Sequence, residues 1–495
     1  MRQLVGLFSG PIAFLIIILI PTPEGMSIEA QRTAAVTVLM ATWWISEAIP
    51  IPATSLLPIA LFPALGVIPT TQVTLPYANH LIFLFMGGFI IALAMERWSL
   101  HRRIALHIIS FTGFSPARLV LGFMLATAIL SAFVSNTATT VMMLPIGMAV
   151  IAQITIDLKQ NSIPNAARTA QALALNIMLG IAYAASIGGV ATLIGTPPNT
   201  VLASYLYSAY GYEITFAKWL MVGVPIVCLF LPLAWIWLVR IANPIPKFTL
   251  PDSSKIIRKE LEEMGSMSRG EILTLCVFVL TSLSWIFRPQ IASLFPQPEM
   301  IRDASIAMAG ALILFLLPVD FKNRIFVMDW EWAKKLPWGV LILFGGGLAL
   351  AQAFGNSGLA AWIVGKISIL EPLPIFILIA GIITLVIFLT ELTSNTATST
   401  ILMPVLAGIA IGLGQNPLLF LAAAAIAASC AFMLPVATPP NAIIFASGHV
   451  TIPQMVRAGF GLNIIGIFVI LFVLYFLLVP VFGIVFGEVP VWALE

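Results

Sequence analysis

SNTATTVMMLPI at residues 135–146 and SNTATSTILMPV at residues 394–405 are one phrase written twice, and each copy drops Ser, Asn and Thr between long apolar runs. A helix in hydrocarbon has no reason to gather three small hydrogen-bonding side chains unless something there needs oxygen and amide ligands. A second duplicated phrase follows each copy, GTPPNT at 195–200 and ATPPNA at 437–442. Two prolines inside an apolar segment remove backbone donors and stop the helix, which frees carbonyls and amides in mid-segment. The duplication also reaches backward, because Phe85-Met86-Gly87-Gly88 matches Phe344-Gly345-Gly346-Gly347 at the 259-residue offset that relates Ser135 to Ser394. The two halves of the chain are copies of each other.

The surrounding composition is that of a membrane protein. Sixty per cent of the 495 residues are hydrophobic, 9% are charged and the mean hydropathy is +1.07, against a charged fraction of about 25% in soluble domains. A net charge of +3 without a basic block points to no nucleic-acid partner. Cys228, Cys276 and Cys430 lie in apolar runs with no metal-like spacing and read as small buried hydrophobes. The first apolar run, Leu4 to Ile20, has no small-residue cleavage site and reads as a retained helix.

At roughly 17 to 25 apolar residues per span, membrane helices are expected near 4–21, 32–48, 53–66, 80–97, 172–209, 217–242, 271–288, 303–318, 336–354, 417–448 and 458–485. The segments 172–209 and 417–448 are each broken by their TPPN phrase. Two further segments, about 117–155 and 372–413, carry the triplets at their centres and are long enough for two spans each or for a re-entrant hairpin. An all-α polytopic protein of about eleven helices follows. Its parts are an N-terminal helix (1–31), a first repeat (32–242), a polar linker (243–270) with balanced charge, and a second repeat (271–495). Five spans between the copies would give them opposite topology, the inverted repeat of many transporters, with the site at the repeat interface. Arg2, Arg97, Arg102, Arg103 and Arg457 fall on one face and Glu488 and Glu495 on the other, which puts the N-terminus in the cytoplasm and the C-terminus outside.

Hydroxyls, amide oxygens and freed carbonyls are hard neutral donors that suit small cations, and the start of a resumed helix presents N–H groups that suit a carboxylate. Asn carries both kinds of group, so Asn136 and Asn395 can hold a cation on one side and an anion on the other. One triplet alone would be ordinary interhelical glue; two triplets with two matched proline breaks favour a pair of cation sites around one anion. Glu391 and Glu47 are expected to anchor helix ends or to pair with a basic residue, and Asp303 is expected to pair with its neighbour Arg302 at the membrane edge. No mid-span pair of Asp or Glu appears, which disfavours a cation/proton antiporter. No nucleophile–base pair lies in facing spans, which disfavours an enzyme.

The pairing of SNTATT with SNTATST and of GTPPN with ATPPN, together with WWISEAIPIPATSLLPIALFP at 43–63 and LTELTSNTATSTILMP at 389–404, resembles the divalent anion/sodium symporter family over nearly the whole chain. The resemblance implies a homodimer in the plasma membrane, with two re-entrant hairpins and a transport part that moves as an elevator. Residue by residue it implies substrate contacts at Ser135, Asn136, Thr137, Ser394, Asn395, Thr396, Thr438 and Pro439. It implies one sodium site at Ser131, Ser135, Asn136 and Gly195, and another at Thr390, Thr393, Asn395 and Ala437. The expected activity is sodium-coupled uptake of C4-type dicarboxylates such as succinate, malate or fumarate. Sodium-independent exchange, for example of succinate for 2-oxoglutarate, is the alternative.

Overall fold

The computed structural model describes residues 2–113, 115–160, 166–245, 253–365 and 373–494, and throughout these the chain is helical apart from turns and one two-stranded ribbon, Pro318–Asp320 with Ile325–Phe326. Parts of the expected linker (246–252) and Glu495 lie outside the described residues. Among the described residues nine helices are long and apolar enough to cross a membrane, and five shorter apolar ones accompany them. The shorter set arises where the sequence itself interrupts a run.

Each TPPN phrase ends one helix and starts another. Ala166–Gly189 stops before Val190, and the chain resumes as Pro197–Tyr210. Pro417–Ala428 stops before Ser429, and the chain resumes as Pro439–Ala446. Proline at the first helical position has its φ preset and no donor to lose, so each break has a sharp restart. Each SNT phrase likewise separates two helices, Pro116–Ser131 from Asn136–Gln160 and Ile375–Thr390 from Asn395–Gly412. Sixteen residues in each first arm span only about 24 Å at 1.5 Å per residue, short of the ~30 Å hydrocarbon core.

Burial grades these helices by position. In Ala167–Gly189, 94% of the membrane window is buried within the protein, against 11% in Arg2–Leu19; the broken helix is central and the first helix peripheral. Small residues permit the central packing. A Cβ on Gly188 would overlap the Ala128 backbone, so Gly188 brings the broken helix directly against the first arm of the Asn136 hairpin. Helix starts are fixed by their own side chains, with capping boxes at Ser268/Glu271 and Thr451/Gln454.

Four features depart from the sequence expectation. Cys228 and Cys276, read as small buried hydrophobes, are exposed and only Cys430 is buried, because an apolar side chain in a membrane helix can face lipid as readily as protein. Leu100–Thr112 is an amphipathic helix that an apolar-run criterion passes over, and its 259-residue counterpart Leu359–Val364 is helical too. The linker is partly ordered as Ser253–Met264, and Arg103 of the amphipathic helix donates to Glu271 (2.6 Å) and to the Gly265 carbonyl (2.8 Å). Asp303 does not pair with Arg302. Its carboxylate accepts from the Phe216 backbone N–H (2.8 Å) and faces Arg288 (3.2 Å), while Arg302 pairs with Glu213. The helix beginning at Asp303 turns adjacent side chains apart, so neighbours in sequence find partners on different elements.

Candidate functional site

Both SNT tips and both TPPN restarts meet at one cavity of about 840 Å³. Ser135, Asn136 and Thr137 line it from one tip and Ser394, Asn395 and Thr396 from the other; Gly195, Ala437, Thr438 and Pro439 line it from the breaks. Four helices therefore begin at its wall, at Asn136, Pro197, Asn395 and Pro439. At the two SNT tips the first N–H groups and the positive dipole ends favour an anion there, while the Pro197-Pro198 and Pro439-Pro440 restarts have no N–H at their first two positions and offer the dipole end alone. Among the described residues no Lys, Arg or His lines the cavity, and the one charged side chain that does is Glu47, which caps the helix Ile28–Ser46 in the left-handed region (φ 51°).

Beneath each tip the oxygens crowd together. Ser131 Oγ donates to the Ala185 carbonyl (2.8 Å) and lies 2.6 Å from one edge of the Asn136 amide. That same edge faces the Ala185 carbonyl at 3.1 Å and the Gly195 carbonyl at 3.3 Å. Ser131 has one hydroxyl proton, so the group of oxygens is satisfied either by the Asn136 NH2 turned toward them or by a cation shared among them. The second copy repeats the pattern: Thr390 Oγ1 lies 2.6 Å from Asn395 Oδ1 and 3.1 Å from the Ala428 carbonyl. These neutral oxygens fit a small hard cation. Thr393 is placed differently, because its hydroxyl is 2.6 Å from Thr398 Oγ1 and donates to the Leu389 carbonyl (2.9 Å).

The predicted residues thus separate into a cavity-facing set and a buried set. Ser131, Thr390 and Thr393 are buried beneath the tips and do not line the cavity. The sequence reading passed over the residues that hold the breaks open. Asn199 donates to the Val190 and Thr192 carbonyls (3.1 and 2.9 Å), and Asn441 donates to the Ala431 and Leu434 carbonyls (both 3.1 Å). Both belong to the TPPN phrase, so the duplicated Asn was the available signal. Thr196 Oγ1 and Ser429 Oγ lie 3.3 Å apart and join one break to the other. Among the described residues Glu391 pairs with no basic one; it accepts from the backbone N–H groups of Phe432, Met433 and Leu434 and from Asn463.

A family model described as "Sodium:sulfate symporter transmembrane region" matches residues 2–483. A protein of Staphylococcus saprophyticus named a sodium-dependent dicarboxylate transporter is 47% identical over 487 residues, covering 97% of this chain and 92% of that protein. A namesake from Staphylococcus aureus (strain USA300) is 45% identical over 484 residues with the same coverage. Among solved structures, the Alcanivorax borkumensis YdaH transporter superposes with a TM-score of 0.59 at 14% identity, covering 90% of this chain and 98% of that one. Neisseria gonorrhoeae MtrF gives 0.57 at 12% identity, covering 96% and 95%. At such identities the likeness is one of fold.

Proposed function

Because the chain belongs to the sodium:sulfate symporter transmembrane family, we propose that it is a secondary transporter of the plasma membrane that takes up C4-type dicarboxylates together with sodium. The names of its staphylococcal relatives support this substrate and this ion. The observation that carries the reading is the single cavity walled by both tips and both breaks, with no basic side chain on its lining. A dianion entering it meets helix N-termini and hydroxyls, and its charge is offset by cations held just beneath.

In this reading Ser135, Asn136 and Thr137 bind one carboxylate and Ser394, Asn395 and Thr396 the other, with Thr438 and Pro439 on the flank. Ser131, Ser135, Asn136 and Gly195 hold one sodium ion; Thr390, Thr393, Asn395 and Ala437 hold the second. Each Asn amide touches both cargoes, which couples them: sodium orients the amide, and the oriented amide receives the carboxylate. The two tips are re-entrant hairpins of an inverted repeat in a fold of about eleven helices, with the N-terminus cytoplasmic and the C-terminus outside. The chain works as a homodimer whose cavity-bearing part moves as an elevator.

Uptake of labelled succinate into proteoliposomes, with and without inward sodium and with and without internal dicarboxylate, tests the reading. Sodium-dependent uptake into empty vesicles is expected. Uptake that requires internal dicarboxylate and ignores sodium would establish exchange instead.

A further inference from the structure

Among the described residues Glu391 is the one acidic side chain buried at the second tip, only 3% exposed, and neither the cavity nor the cation oxygens account for it. Its Oε1 accepts from Phe432 N (2.7 Å), Met433 N (2.9 Å) and Asn463 Nδ2 (2.8 Å), and its Oε2 accepts from Met433 N (3.0 Å) and Leu434 N (3.1 Å). Every partner is a donor, so both oxygens act as acceptors. The three backbone donors belong to the unwound stretch between Ala428 and Pro439, whose carbonyls at Ala431 and Leu434 are held by Asn441. Glu391 takes the N–H side of that break and Asn441 the carbonyl side, which fixes the backbone leading to Ala437.

The first copy is built otherwise. Position 391 less the 259-residue offset is 132, an alanine. There Thr192 bridges, its hydroxyl donating to the Ala132 carbonyl and accepting from Gly195 N (3.0 Å). The first break is held by a hydroxyl, the second by a carboxyl that takes three successive backbone N–H groups.

We propose that Glu391 is a positioning residue that tightens the cation site around Thr390, Asn395 and Ala437, by clamping the Phe432–Leu434 backbone that leads to Ala437. This rests on the sodium-coupled reading above. E391Q turns an NH2 group toward backbone donors and so unties part of the clamp.

The test uses the full-length protein in proteoliposomes, with sodium titrations of labelled succinate uptake and sodium-induced thermal shifts without succinate. E391Q is expected to raise half-saturating sodium by about five- to fiftyfold, with maximal rate falling less than affinity. A purely structural role would lower yield and maximal rate and leave half-saturating sodium in place, and that result overturns the proposal. Should E391Q fail to fold, Asn463→Leu keeps the carboxylate but unties one of its donors. It is expected to raise half-saturating sodium by roughly two- to fivefold, and an unmoved value overturns the proposal equally. Sodium-independent uptake by the wild type would overturn the transport reading and this proposal together; normal sodium dependence in both wild type and E391Q overturns this one alone.

Discussion

Asn395→Ala separates a structural asparagine from a shared ligand. Asn395 starts the helix Asn395–Gly412, lines the cavity, and places its amide oxygen 2.6 Å from Thr390 Oγ1. If that bond is only interhelical glue, its loss costs about 0.6 kcal/mol, the average for such bonds in membranes. The protein would then lose a little stability and keep its transport constants. If the amide bridges a sodium ion and a carboxylate, one substitution removes a ligand from both. Hydrogen bonds to charged groups are worth roughly 1.5–3 kcal/mol, and each 1.4 kcal/mol is about tenfold in affinity, so apparent succinate affinity falls by about ten- to a hundredfold. Linkage is reciprocal, so half-saturating sodium must move with it. Asn136→Ala is expected to behave alike. Thr400→Ala is the control: its hydroxyl donates to the Thr396 carbonyl (2.8 Å), it is buried, and it does not line the cavity. The assay is a sodium titration of uptake at several succinate concentrations. An Asn395→Ala protein that loses succinate affinity with unchanged sodium dependence refutes the shared ligand, whatever becomes of the family assignment.

Cysteines placed at the open ends of the two tip hairpins, near Pro116 and Ile375, should react with impermeant thiol reagents from opposite faces of the membrane; same-side labelling contradicts the inverted repeat. Gly188→Ala should lower the melting temperature through overpacking against Ala128 worth about 1–3 kcal/mol, and an unshifted melting curve would show that the contact yields. Glu213 lies in the loop between Tyr210 and Phe216, and although burial alone would raise its pKa, the hydrogen bonds and charges of Arg288 and Arg302 hold it below the ordinary carboxylate value. A depressed carboxyl stabilises above its unfolded pKa and ceases to as pH falls through its folded value. The melting-temperature gap between wild type and Glu213→Gln should therefore shrink as pH is lowered from 7 toward 4, and a gap that widens contradicts the pairing. Uptake should also carry net positive charge inward, read as stimulation by an inside-negative potential; indifference to potential would mean electroneutral transport.

The repeats made the site legible because they are local: a triplet or a proline pair fixes its own backbone wherever it stands. All eight residues assigned to the substrate line one cavity, although the tips lie 259 residues apart. What escaped the sequence depends on tertiary partners. Glu391 was expected to anchor a helix end or to meet a basic residue, yet its partners are backbone donors forty residues downstream, which no side-chain pattern announces. Asp303 beside Arg302 looked like a pair because it was judged in one dimension; Arg288, fifteen residues away, is its actual partner. The helix Leu100–Thr112 carries His101, Arg102, Arg103 and His107, and a search for unbroken apolar runs rejects such a segment even when one face is buried.

The charges near the tips explain why coupling to cations follows from the architecture. Four helix N-termini face the cavity, and each favours an anion by about 0.3–1 kcal/mol, rising to ~2 in favourable buried geometries. Taking a carboxylate out of water costs several kcal/mol, and a dicarboxylate has two. Dipoles alone fall short, and with no Lys, Arg or His lining the cavity the deficit passes to mobile cations. Two cations neutralise a dianion, and any further cation would make each cycle carry net positive charge inward. The same balance discourages movement of the partly loaded site: with sodium but no dianion the core is positive, with dianion but no sodium it is strongly negative, and both carry a desolvation penalty that the fully loaded core avoids.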